Sequence, residues 1–181
     1  CSVSKENPKM AVAPTTLFSS SFSVIYNLIN NNVTDPIAST RNASPSTKWV
    51  FSAFPDADIE AKKIKYPIII IDPIDITWEN FTFAKNMAGM IISITIYTNT
   101  ASQLDTIFDS INAVMNGQRP YLKAQGITEV KLDSSSTDFV MHSGTRVHFR
   151  NSTFSGKYYF SSGLSKTTLS NTIQSAAVVT A

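Results

Sequence analysis

Charge is the first thing this sequence lacks. Asp, Glu, Lys and Arg make up 15% of the 181 residues, against roughly a quarter in an average soluble domain. Ser, Thr and Asn take their place. A surface of that kind has little like-charge repulsion, which suits a subunit packed against copies of itself. A general taste for uncharged polar residues gives the same composition. The net charge of +2 is too small to imply nucleic-acid binding, and the densest run of one sign is Lys62, Lys63 and Lys65. No stretch reaches the roughly 18 to 20 apolar residues of a membrane span. The opening residues show no secretory pattern. A single cysteine, Cys1, excludes an intrachain disulfide framework.

The residues of common catalytic motifs are also scarce. There are two histidines, His142 and His148, and six glycines, with no HExxH, CxxC, GxSxG or phosphate-binding glycine loop. No metal or other cofactor is expected. Asp72 and Asp75 flank Pro73; paired acids in a turn can bind a cation or move protons, but Asp beside Pro also serves to bond its own backbone, and the turn is the preferred reading. Arg146, His148 and Arg150 alternate with Val147 and Phe149, so the three basic side chains share one strand face. That face either meets an acidic partner or a channel-borne nucleic acid, or it is simply solvated. Lys62, Lys63 and Lys65 either pair with acids of a neighbouring subunit or form a soluble loop. Sequons at Asn32, Asn42, Asn80 and Asn151 are read as chance in a chain so rich in Asn, Ser and Thr.

What the sequence does contain is clear periodicity. Residues 1–18 read as an extended arm. Ser19, Ser20 and Ser21 offer an N-cap to a helix carrying Phe22, Ile25, Ile29 and Val33 on one face, ended by Asn30 to Asn32 and Asp35-Pro36. Residues 35–47 read as loop, Lys48 to Phe54 as a strand, and 56–66 as an exposed loop. Ile68 to Ile71 predict a strand buried on both faces. Ile76 to Phe83 predict another, and Met87 to Thr98 a long one with Met90, Ile92, Ile94 and Ile96 on one side. Thr100-Ala101-Ser102-Gln103 reads as a capping box, opening a helix with Leu104, Ile107, Phe108, Ile111, Val114 and Met115 as its apolar stripe. Gly117 is the expected C-cap, and Pro120 bars continuation. Beyond Ile127 strands return: 129–132, a turn at Asp133 to Ser136, then 139–141, 145–150 and 157–160. Residues 161–181 read as a tail. Strands in adjacent runs with few helices predict an α+β domain over 19–160, a mainly antiparallel sheet with two helices packed on one face.

In order and spacing, residues 21–117 resemble the tail terminator, or tail-completion, proteins of tailed bacterial and archaeal viruses. The resemblance is carried by the helix Phe22 to Asn31, by Lys65-Tyr66-Pro67-Ile68-Ile69-Ile70 entering a strand, and by the segment Trp78-Glu79-Asn80. Ile91 to Thr98 and the capped helix with Leu104-Asp105-Thr106-Ile107 complete it. The first arm and the Ser/Thr tail depart from the family. The resemblance implies a virion protein of the tail or neck with no active site. It implies a homo-oligomeric ring, usually a hexamer, that caps the tail tube and joins it to the head connector while DNA passes through its channel. Partners would be tail-tube and head-connector proteins, and no membrane. Three rivals remain: another head-tail connector or tube component, a secreted or lipidated binding module suggested by Cys1-Ser2 and the sequons, and an enzyme using acids such as Asp72 and Asp75.

Overall fold

The computed structural model describes residues 17–42, 47–61, 64–81, 86–142 and 144–160. The expected tail, and all of the expected arm except Leu17 and Phe18, lie outside them. Helix α1, Leu17–Asn32, begins earlier than its serine run suggests. Those serines sit inside it, and Ser21 is fully buried. Serine's local competition for the backbone loses here because tertiary packing of the apolar face holds the helix. Ile25, Leu28, Ile29 and Val33 all point into the core.

The segment expected to be loop after α1 holds a short helix, α2, Ala38–Asn42. The expected strand at Lys48 to Phe54 shrinks to β1, Val50–Phe51. The expected exposed loop at 56–66 contains α3, Asp56–Glu60, and it is not all exposed, because Ile64 is buried and Ile59 packs beside it. Then come β2 Ile68–Ile71, β3 Asp75–Phe81 and β4 Asn86–Thr98. All four isoleucines of β2 are buried, as a strand covered on both faces requires.

Helix α4, Ala101–Gly117, matches its periodicity. Thr100 is the N-cap, its hydroxyl accepting from the Gln103 amide, and Leu104, Ile107, Ile111 and Met115 are buried. Gly117 is the last residue of α4, and the C-cap is Gln118 rather than the expected glycine; its amide donates to the Val114 carbonyl. Pro120 then lies in the first turn of a further helix, α5, Arg119–Ala124, where a missing amide proton costs nothing.

The last two elements among the described residues are β5, Ile127–His142, and β6, Thr145–Phe160, each of 16 residues. They pair as one long antiparallel hairpin. The turn expected at Asp133 to Ser136 is strand instead. Ser134, Ser135 and Ser136 lie opposite Thr153, Ser152 and Asn151, and the Ser135 and Ser152 hydroxyls are 3.3 Å apart. The ladder to β6 satisfies a backbone whose side chains alone favour a turn. Register shifts between Thr128 and Lys131 and between Leu132 and Ser134 absorb the irregularity, with Glu129 at φ 56°.

The six-stranded sheet has the order β1-β2-β4-β6-β5, with β3 also paired to β4. Only β1 and β2 run parallel; the other pairs are antiparallel. This is a mixed helix-and-strand domain built on a mostly antiparallel sheet. Residues of α1, α4 and α5 share one core cluster with Ile69, Ile71, Ile92, Ile94, Ile96 and Phe154. A smaller cluster of Phe51, Ile64, Ile68 and Ile70, joined by Phe54, Ile59, Tyr66 and Tyr97, covers part of the opposite face.

Candidate functional site

The tip of the β5–β6 hairpin brings the most chemistry together. His142, the last residue of β5, reaches α3, 86 positions earlier in the chain. Its Nε2 lies 3.1 Å from Asp56 Oδ1, and its Nδ1 lies 3.3 Å from the Tyr66 hydroxyl. Phe54 and Tyr66 meet the imidazole edge to face, at centroid distances of 5.8 and 6.4 Å. The His142 side chain is consequently 19% exposed. Glu60, one turn after Asp56 on α3, completes a group whose ligand atoms all lie within 4.8 Å of one another. Burial first, then Tyr97, then Asp56, pushes the Tyr66 phenol up to about 12, so it stays protonated as a neutral hydrogen-bonding group. A shallow groove beside this group is bordered by Ile59, Ile64, Lys65, Tyr66, His142 and Thr145.

The same hairpin forms a long edge. Among the described residues β5 pairs with β6 alone, and positions 131–141 are all exposed. Apolar side chains concentrate towards the tip: Phe139 is 49% exposed, Val140 43% and Met141 61%. Strand edges of this length offer a row of free backbone donors and acceptors to another chain.

The residues singled out from sequence fall in different places. Lys62 and Lys63 lie outside the described residues. Lys65 is exposed on the rim of the groove, and its carbonyl accepts from Arg41. Arg146, His148 and Arg150 do share a strand face, but it is not an open basic surface. Arg150 turns back onto α4, its Nη2 2.6 Å from Asp105 and its guanidinium 4.5 Å from the Phe108 ring centroid. Its Nε also donates to the Thr137 hydroxyl, which leaves the side chain 18% exposed. Arg146 stacks 3.9 Å over Phe139. Arg146 and Arg150, two of the three basic side chains, therefore have partners within the fold. Asp72 lies in the connection between β2 and β3 and Asp75 opens β3. Neither joins the acidic group at the hairpin tip.

Two features escape sequence reasoning. The His142 group is assembled by the hairpin from residues far apart in the chain. Arg41 is 1% exposed. It forks between the Asp35 carboxylate and the carbonyls of Lys65 and Pro67, each 2.6 Å away. The Asp35-Pro36 pair so near an arginine was the available signal, but nothing local to it says that the guanidinium is buried.

A scan of protein-family models finds no match to this chain, and a search of curated proteins finds no relative either.

Proposed function

We propose that this chain is a non-enzymatic structural subunit that tiles with copies of itself, and that its place is the ring at a viral tail-neck junction. In this reading the ring caps the tail tube, joins it to the head connector and lets DNA pass. The observation that carries the tiling is the β5 edge: a sixteen-residue strand that, among the described residues, pairs on one side only, with Phe139, Val140 and Met141 exposed near its end. An isolated protein usually blunts such an edge with lysines, proline or a covering element. Here positions 132–142 contain no lysine and no proline. The occupant is a neighbouring copy, meeting β5 through a different surface of its own, as head-to-tail rings require. The placement in a tail and neck rests on the sequence resemblance of residues 21–117. In the finer picture two helices, α1 and α4, form the ring body's packed face, while the arm and tail grip neighbours.

The test is assembly. Light scattering and particle images of the purified chain should show closed rings, hexamers by the family expectation, or decoration of tail tubes by a chain that is monomeric alone. Lysine placed in the edge, as Ser135→Lys with Val140→Lys, should leave thermal unfolding within a few degrees and abolish that assembly. A monomer that neither self-associates nor caps tubes, or rings untouched by both lysines, would sink the reading. Another connector or tube component would assemble at a different position in the particle. A secreted or lipidated binding module would be a monomer bearing a lipid mass or glycans.

A further inference from the structure

We infer that Asp56, Glu60 and His142 form a site for one divalent transition-metal ion of the zinc class, which pins the β5–β6 hairpin tip to α3. Three features of the geometry carry this. The donor set is one imidazole and two carboxylates, a mixture suited to borderline ions such as Zn²⁺. The spacing also fits. Ligand atoms around a tetrahedral ion at bond lengths of about 2.0 to 2.1 Å stand roughly 3.3 Å apart. His142 Nε2 and Asp56 Oδ1 are already 3.1 Å apart, and the whole group spans at most 4.8 Å. Asp56 and Glu60 are exposed, so small rotations bring both carboxylates in. Water would occupy the remaining position.

The third feature is the backing of the ring. A ligating histidine normally offers its other nitrogen to a fixed partner, which orients the ring and selects the tautomer. Here Nδ1 meets the Tyr66 hydroxyl at 3.3 Å. With Nδ1–H donating to that oxygen, the Nε2 lone pair is free and aimed at the two acids. Phe54 and Tyr66 hold the ring edge to face, so it is positioned before any ion arrives. A histidine merely paired with a surface acid needs neither the second carboxylate nor the phenol behind it. The metal site does not depend on subunit tiling, because every one of its donors comes from one chain.

Titration of the full, EDTA-stripped chain with ZnCl₂ tests the site by calorimetry, together with Co²⁺ as a spectroscopic probe. One ion should bind per chain with micromolar affinity or better. Co²⁺ should give visible bands of the intensity expected for four or five ligands. His142→Ala and the double variant Asp56→Asn with Glu60→Gln should each weaken binding at least tenfold, with unfolding temperatures in EDTA showing that both remain folded. Tyr66→Phe should keep the one-to-one stoichiometry and lose about tenfold in affinity, the usual effect of removing a partner behind a ligand. Zinc should also slow amide exchange at 139–145. Absence of binding at micromolar zinc overturns the proposal. So does binding that survives His142→Ala, that disappears with Cys1→Ser, or that Mg²⁺ matches.

Discussion

Arg41 shows how much one side chain can hold. It is buried with its charge matched by Asp35, and it closes the carbonyls that lead into β2. Removing one member of such a buried pair leaves the other charge stranded, at a cost of about 3 to 5 kcal/mol. Arg41→Met should therefore lower the urea midpoint by that amount of stability. Arg41→Lys should recover only part, since an ammonium cannot reproduce the planar fork. Tyr66 gives a second prediction. Its phenol is pushed up to about 12, whereas an unfolded tyrosine ionises near pH 10. Above about pH 10 the unfolded chain loses this proton first and so binds fewer protons than the native one. Stability is full below that pH and falls as the pH rises towards 12. Burial raises Tyr97 and Tyr158 in the same direction. Tyr66→Phe should make the alkaline decline shallower without erasing it, as read from urea midpoints between pH 9 and 12. An equally steep decline would assign the effect to the other tyrosines. None of this was legible in the sequence. Arg41 and Tyr66 owe their roles to contacts with residues more than twenty or seventy positions away, and no local pattern encodes those.

Among the elements, legibility tracked the range of the forces involved. Helix α4 could be read residue by residue, because its cap and apolar stripe lie within one stretch of seventeen residues. β2 and β4 were readable because burial on two faces or on one leaves a run or an alternation. β5 was misread as two strands and a turn. Its serines favour turns locally, and only the ladder to β6 overrules them. α2 and α3 are five-residue helices, too short for a period to show. The β5–β6 pairing also contains its own weak point. A β-carbon at Gly156 would come 3.3 Å from Val130 Cγ2 and 3.4 Å from the Thr128 carbonyl oxygen, at the irregular start of β5. Gly156→Val should crowd that carbonyl and cost about 1 to 3 kcal/mol, typical of an overfilled interior. Thermal unfolding would report it, and a variant as stable as the parent would mean that the irregular stretch yields easily.

For the whole molecule, the decisive asymmetry lies between the two ends of the sheet. At one end β1 is a two-residue strand beside β2; at the other β5 runs sixteen residues with its outer side open among the described residues. One helical layer and one partial cover leave β5 exposed from Lys131 to Met141, while β6 beside it stays within the sheet with Val147, Ser152 and Phe154 buried. That shape favours association along β5 over association through β1. Hydrogen exchange of the assembled protein should accordingly show new protection at 131–141 and little change at Val50 and Phe51. The reverse pattern would place the contact at the other end. The overall class, a mostly antiparallel α+β domain, followed from the order of the strand and helix patterns. The asymmetry did not, because it depends on which strands become neighbours.

The position of β6 has a consequence for synthesis. It is the last described strand, yet it sits between β4 and β5 and pairs with both. A nascent chain still short of Thr145 therefore has none of the strand that joins β4 to β5. The sheet closes only after translation has passed that point, so a polypeptide halted at His142 should be recovered as a chaperone substrate and not as a smaller folded domain.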